Sequence, residues 1–409
     1  MYLQDGKYFI SNLNILDICK KYDTPLYLYD ANKIISQYSK LVSSFDVKNL
    51  KILYAAKALT NINILKLFNK MGSGLDTVSI EEVKIGIKSG FEPSNILFTP
   101  NSVSKKELEE AISLGVHINI DNIDQLEYFG HTHPETPICI RINPHIMAGG
   151  NSNISVGHID SKFGISIHQF PLVQRLVKTL NINVEGLHMH TGSDILDVDV
   201  FLQAADILFS IAENFQDLKF IDFGSGFKVK YKPEDYETDI ILFGNEISKK
   251  FNDFEKNYGK DLALAFEPGK FLVSEAGYFF VKTNLVKQTT STVFAGVDSG
   301  FNHLIRPMFY NAYHEIINIS NPEGMPRIYT VVGYICETDT FAWNRKISEI
   351  HSGDILAFRN AGAYGFTMSS NYNSRLRPAE VLIYEGKDYL IRGHETFEDL
   401  LRNQIEIEL

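Results

Sequence analysis

Cysteine is scarce in this chain. Cys19, Cys139 and Cys336 are the only three in 409 residues, an odd and widely spaced set that suits neither a disulfide framework nor a zinc site. Free thiols are therefore expected. Long apolar runs are missing as well: nothing approaches the roughly 20 residues that span a bilayer. The opening MYLQDGKYFISNLN has neither the basic start nor the apolar stretch of a signal peptide. The expectation is a cytoplasmic protein with no membrane partner. Positive charge is in short supply too, with 39 Lys and Arg against 50 Asp and Glu and a formal net charge of -11. No basic cluster of the kind that nucleic-acid phosphates require is visible, so small-molecule chemistry is the better expectation.

What the chain does have is an ordinary globular composition, 44% hydrophobic and 22% charged. Its length exceeds the size at which one hydrophobic core stops growing, which predicts two domains. From Lys51 onward a short apolar or β-branched run ends in polar residues and is followed by a segment of helical periodicity, and the pattern then recurs. The strand candidates are KILYAAKA, GSGLDTVS, NILFTPN, VHINIDN, PICIRINP, VEGLHMHTGS, KFIDFGSG and LALAFEPG. Helix candidates between them include INILKLFNKM, EEVKIGIKSG, KKELEEAISLG, DVDVFLQAADILFSIAENF and EISKKFNDFEKNYG.

Eight alternating units between residues 31 and 277 come close to the roughly 250 residues of a (β/α)8 TIM barrel. An open doubly wound sheet is the alternative. The barrel is preferred because polar residues end nearly every strand, where barrel enzymes keep their chemistry: Lys57, Asp76, Asn101, Asp121, Arg141, His190, Ser225 and Glu267. After Gly277 come strand-like runs without regular helices: YFFVKTNLVKQ, STVFAGVD, RIYTVVGYI, DILAFRN and AEVLIYEGKDYLIRG. Residues 278–409, together with 1–30 and their strand-like KYFISN and PLYLYD, are thus expected to form a second, mostly β domain, sandwich- or barrel-like. ETFEDLLRNQI reads as a short terminal helix.

Lys57, after the apolar YAA, would place an amine in the barrel mouth where loss of water lowers its pKa and suits it to an aldehyde; a surface lysine is the plainer alternative. His188 and His190 share one strand face. They resemble the His-x-His of metal-dependent barrel hydrolases, although that pair would sit on the first strand rather than the sixth, and a structural role for His188 is the simpler reading. In Asp222-Phe223-Gly224-Ser225-Gly226-Phe227 the small residues would let backbone N–H groups approach a phosphate, or simply make a tight turn. The third glycine and the first-strand position of a dinucleotide fingerprint are lacking. Glu267-Pro268-Gly269-Lys270 ends the eighth strand with a carboxylate that could face a cofactor's ring nitrogen, or simply meet solvent. Cys336-Glu337-Thr338-Asp339 sets a thiol beside two acids, favouring a protonated donor over a nucleophile, with a buried core cysteine as the alternative.

Together these segments resemble the group III pyridoxal-phosphate decarboxylases, in particular their diaminopimelate-type branch, over nearly the whole chain. The matching motifs are Tyr54 to Ala58, His190-Thr191-Gly192-Ser193, Asp222 to Phe227, Glu267 to Lys270, Cys336-Glu337 and Ala361-Gly362-Ala363-Tyr364. The resemblance implies pyridoxal 5'-phosphate as cofactor and no metal. It implies that Lys57 carries the cofactor as a Schiff base, His190 stacks on its ring, and Glu267 pairs with the ring nitrogen. Ser193, Gly224 and Gly226 would hold the phosphate, with Pro268, Gly269 and Lys270 alongside. Cys336 would return the proton after carbon dioxide leaves, and Tyr364 would touch cofactor or substrate. Arg306-Pro307-Met308-Phe309-Tyr310 resembles the motif whose Arg and Tyr hold a substrate carboxylate, leaving Glu337 for an amine and Lys270 as a further substrate contact. NAGAYGFTMSSNYNSRLRP is of the same type. Two departures stand out: Lys270 replaces the usual arginine, and Ser225 the middle glycine of a triplet. The implied activity is decarboxylation of meso-2,6-diaminopimelate to L-lysine and CO2, by a homodimer with active sites shared across its interface. Decarboxylation of ornithine, arginine or lysine, metal-dependent hydrolysis, and a catalytically silent homologue are the competing expectations.

Overall fold

The computed structural model describes residues 1–146, 161–192 and 197–409. The chain divides into two compact units, one comprising Gln37–Lys230 and Tyr236–Phe271, the other Met1–Ser36, Tyr231–Asp235 and Leu272–Leu409. No helix among the described residues is long and apolar enough to cross a membrane.

The first unit is a closed parallel barrel. All eight expected strands form: Leu50–Ala55, Gly74–Thr77, Ile96–Phe98, His117–Ile120, Ile138–Asn143, Val184–His188, Phe220–Asp222 and Ala263–Phe266. Each pairs with the next in parallel register, and the eighth pairs with the first, which leaves no open edge. A two-residue strand, Ile165–Ser166, adds to the fifth.

Helices return the chain between strands, and their starts are written locally. Asn61, Ser79, Ser104, Asn122, Asp197 and Asp239 each cap a helix by accepting backbone N–H groups of its first turn. Ser104 and Glu107 close a reciprocal capping box, and Gly115 and Gly259 end their helices in the left-handed region. Asp239 explains one departure from expectation: it starts the last long helix at Ile240 rather than Glu246. The helix Phe170–Leu180 was not among the segments singled out above; its missing side-chain cap and its Pro171 leave a weaker start signal.

Between barrel and helices lies a phenylalanine-rich layer. Phe201 and Phe243 meet edge to face at 4.7 Å between centroids, and Phe209 stacks on Phe254 at 4.4 Å, geometries that add about 0.5–1.5 kcal/mol per pair beyond area burial. Inside the barrel, Leu53, Leu97, Cys139, Phe220 and Ala263 fill the lower layers. Polar chemistry is thereby confined to the C-terminal ends of the strands.

The second unit is mostly β. Its spine is the strand Gly277–Gln288, whose first half pairs with Leu26–Asp30 on one side and Ile355–Phe358 on the other, and whose second half pairs with Val293–Val297. Pro326–Val332, Thr340–Ser348, Ile316–Asn318, Ala379–Tyr384 and Lys387–Arg392 complete a nine-stranded sheet. The PLYLYD segment thus joins this sheet, while Lys7–Ile10 belongs to a separate three-stranded one. Alternation decides the two faces: Leu26 and Leu28 enter an apolar core with Ile15, Ile18, Phe280, Val381 and Ile383, whereas Tyr27 stacks on Phe279 at 4.5 Å. The turn carrying Ala361-Gly362 runs against the spine's start, with Gly362 N–H bonded to the Ser274 carbonyl and Ala361 N–H to that of Gly277.

That close approach requires glycine, because a Cβ at Gly362 would lie 1.9 Å from the Val273 carbonyl oxygen. We predict that Gly362→Ala destabilises the protein by about 1–3 kcal/mol, through overpacking of backbone against backbone. A denaturant melt should show a lower midpoint with an unchanged slope; an unchanged midpoint would contradict the packing account.

Candidate active site

The parallel register dictates which side chains share the barrel mouth. Ala55 lies opposite Asp76, and Lys57 follows two residues on in a short 3-10 turn. Arg141, His188 and Asp222 are Cα partners across three neighbouring strands, so they form one inward row. Glu267 lies two residues beyond Ala265, itself the partner of Asp222. Lys57, Asp76, Arg141 and Glu267, four of the residues read from strand ends, thus meet His188 and Asp222 around one opening.

Their charges are withdrawn from water and matched. The Lys57 ammonium lies 2.9 Å from Asp76, whose carboxylate is fully buried while the lysine side chain keeps 41% of its exposure. The amine expected above in the barrel mouth is held there by an ion pair. Arg141 is buried, stacks 5.0 Å from the Phe163 ring centre, and feels the carboxylates of Glu267, Asp121, Asp76 and Asp222. Burial pushes Asp76 above the ordinary carboxylate range and the nearby Glu267 charge adds to this, while Lys57 opposes it. Asn101 donates to Asp121 at 2.6 Å on the rim.

Asp222 and Glu267 form the most strained electrostatic pair. Burial raises both above the ordinary carboxylate range, and the charge of Glu267 raises Asp222 further. One Asp222 oxygen accepts the Gly224 N–H at 2.7 Å. Glu267 lies 3.2 Å from His188 Nε2. Burial and the Arg141 cation push His188 far below its usual range, so a neutral ring donates its Nε2–H to Glu267.

His190 is held neutral by the same causes, loss of water first and then the Arg141 and Lys57 cations. Its Nδ1 accepts the Ser225 N–H at 3.2 Å, which fixes the ring over the Gly224-Ser225-Gly226 turn. Gly224 has φ +61 and a Cβ there would lie 2.6 Å from His190 Nδ1, so glycine is obligatory. Gly226 also has positive φ whereas Ser225 does not, which explains why serine is accepted between them. His188, Asp222 and Glu267 each bring a potential ligand atom within 4.8 Å of the others. His190 is outside that cluster, so the His-x-His pair does not converge as the hydrolase alternative requires. Pro268 and Gly269 are buried behind Glu267, and half-buried Lys270 opens the short helix Lys270–Val273. Ser193 lies outside the described residues.

The other expected residues belong to the β-rich unit. Cys336 is exposed, not a core thiol, and its Sγ lies 3.3 Å from Asn373 Oδ1. Glu337 is exposed beside it and accepts the Tyr372 hydroxyl. Asp339 turns away from the thiol, accepting the Ile335 N–H at 2.9 Å and the Phe301 N–H at 2.7 Å, and so braces the loop. Tyr364 is a non-glycine residue at φ +56, a conformation held only where surroundings demand it. Arg306 is buried with its guanidinium 5.9 Å from the Tyr310 ring. Tyr372 and Asn373 were not picked individually from the sequence, although they lie inside the matching NAGAYGFTMSSNYNSRLRP segment. Thr99 and Thr191 were overlooked as site residues; each keeps a buried hydroxyl without a hydrogen-bond partner, as do Glu267 Oε1 and Asp222 Oδ2. Buried polar atoms of that kind are ordinarily satisfied, so their clustering marks the mouth as a place for a polar ligand.

Residues 31–274 match the family model described as "Pyridoxal-dependent decarboxylase, pyridoxal binding domain". Over 98% of its length the chain is 39% identical to the diaminopimelate decarboxylase of Methanothermobacter thermautotrophicus, covering 96% of that protein. The crystal structure of diaminopimelate decarboxylase from M. jannaschii in co-complex with L-lysine superposes with a TM-score of 0.91 at 29% identity, covering 99% of this chain and 98% of that one. The Helicobacter pylori diaminopimelate decarboxylase complexed with L-lysine gives 0.87 at 32% identity, over 95% of this chain and 98% of that one.

The proton retained by Asp222 has a measurable consequence. An unfolded aspartate ionises near 3.8 and the folded one well above it, so the native state binds more protons and folding stability falls as pH rises from about 4 toward the raised native value. We predict that Asp222→Asn, studied in ligand-free protein, gains melting temperature relative to the unmodified chain at about pH 8 compared with about pH 5. An equal difference at both pH values would show that the carboxyl is not held protonated.

Proposed function

The chain belongs to the pyridoxal-dependent decarboxylases, and within them to the diaminopimelate decarboxylase family, and from that premise we propose how its residues divide the work of converting meso-2,6-diaminopimelate to L-lysine and CO2. The observation that carries the reading is the mouth itself, where a lysine amine, a buried pair of carboxyl groups and a glycine-lined turn surround orphaned buried polar atoms.

The mouth fits pyridoxal phosphate. Lys57 is the amine placed to take its aldehyde, and Asp76 fixes where that amine points. Glu267, already hydrogen-bonded by His188, is the carboxyl placed for the ring nitrogen, and its unpartnered Oε1 is available for that contact. His190 is the flat face for the ring, while Ser193 and the backbone at Gly224 and Gly226 are the phosphate contacts. Pro268, Gly269 and Lys270 continue the cofactor-side wall. Bound there, the cofactor supplies an electron sink for the pair released as the carboxylate departs.

Substrate recognition and proton return fall to the β-rich unit. Arg306 and Tyr310 hold the second carboxylate and Glu337 the second amine, with Tyr364 and, from the barrel unit, Lys270 as further substrate contacts. A guanidinium suits a carboxylate because its donors form a planar fork. Lys270 offers a point charge where the family usually has arginine, so more of that specificity rests on Arg306. The exposed Cys336 thiol gives a proton to substrate Cα after CO2 leaves. Cys336 and Glu337, both exposed on this chain, serve the barrel of a second copy in a cytoplasmic homodimer.

Cys336→Ala tests the assignment. Losing a general acid lowers turnover by about 10²–10⁴-fold, and the product should lose its purity as solvent protonates in place of the thiol. Unchanged turnover with pure L-lysine would remove Cys336 from the reaction.

A further inference from the structure

The β-rich unit buries a histidine that the reaction above does not use. Arg306 is 8% exposed, its guanidinium carbon lies 5.5 Å from the Tyr231 ring centre, and its terminal nitrogen reaches the Tyr231 hydroxyl only at 3.5 Å. Its Nε–H is buried without a hydrogen-bond partner. His314, 2% exposed, packs edge-on against the same tyrosine ring at 5.7 Å and 88°.

The tautomer of His314 follows from the hydrogen bond of its Nδ1. Nδ1 lies 2.9 Å from the Arg359 carbonyl oxygen, which can only accept, so Nδ1 carries the proton. Burial, reinforced by the Arg306 cation, pushes the ring's pKa down to about 3, and it stays neutral at working pH. Nε2 is then a fixed lone pair, and it too is buried without a partner. One tyrosine ring is therefore flanked by an orphaned donor and an orphaned acceptor, both more than nine-tenths buried. Buried groups of this kind are characteristically joined by an ordered water.

We propose that His314 is a positioning residue for Arg306: one buried water accepts the Arg306 Nε–H and donates to His314 Nε2, fixing the guanidinium plane so that its two terminal amino groups face the substrate's second carboxylate. The inference rests on the proposed function, which gives Arg306 that carboxylate. With Nε held, the fork is presented already oriented, and binding need not order it. An apolar ring at position 314 would leave the Nε–H unpaired and the fork free to turn.

The test uses the holoenzyme and four variants. In His314→Phe, KM for diaminopimelate should rise about 10- to 100-fold, as expected for a misaligned charge-assisted hydrogen bond, while kcat stays within about threefold. Inhibition by a straight five-carbon diamine, which has no carboxylate, should be unchanged. His314→Gln keeps an acceptor oxygen and should restore KM to within about threefold; it also serves should the phenylalanine variant fail to fold. Arg306→Ala should raise KM at least as much, and adding His314→Phe to it should do nothing further. If Arg306→Ala raises KM but neither His314 variant does, or if both His314 variants lower the melting temperature and kcat without a selective rise in KM, His314 is structural only and the inference is overturned. If Arg306→Ala itself leaves KM unchanged, it is the reading of Arg306 that fails.

Discussion

Charge held out of water at one end of a closed sheet is the constraint on which the rest of this structure depends. Asp76, Arg141, Asp222 and Glu267 would each be costly to bury alone, and they are tolerated because they are buried together beside the partly exposed Lys57 ammonium. Parallel register is what makes that possible: every strand delivers its terminal polar residue at the same height, and closure brings those residues within reach of one another. The apolar layers below and the phenylalanine shell outside keep the strands in that register.

The same matching sets protonation states. Two carboxyls are held above their ordinary range, two histidines are held neutral, and one lysine is held by an aspartate, although all six groups lie within the same mouth. Separate environments pull ordinary side chains toward different roles, which is how one small opening can offer an amine, a hydrogen-bond donor to a carboxylate and a flat neutral ring at once. The β-rich unit follows the opposite logic. Its Cys336 and Glu337 are exposed on a loop braced from behind by Asp339, while Arg306 is buried among tyrosines.

Much of this was legible in the residues. The eight strands could be counted because apolar runs alternate with capped amphipathic helices, and Lys57, Arg141 and Glu267 could be placed because a barrel strand's last residues face its mouth. The strand Thr340–Ser348 was missed, since its TFAWNRKIS alternates poorly and its middle is exposed. The helix Ile15–Tyr22 was missed although Asn14 caps it and its apolar residues keep helical spacing, because its two turns lie between runs that read as strand. Asp76's grip on Lys57 was invisible for another reason: the two residues are neighbours only across strands. Likewise the role of Asp339 as a brace depends on two distant backbone N–H groups, and the tolerance of Ser225 on a φ value that only the folded turn reveals.

The most direct test of the account is a side-by-side assay of the purified protein with pyridoxal phosphate on meso-diaminopimelate, ornithine, arginine and lysine, measuring CO2 and the amine product of each. The account predicts CO2 from diaminopimelate alone, with L-lysine formed in equal amount. CO2 from a basic amino acid instead would keep the barrel chemistry but contradict the assignment of Arg306, Tyr310 and Glu337, and no CO2 from any of them would contradict the account as a whole.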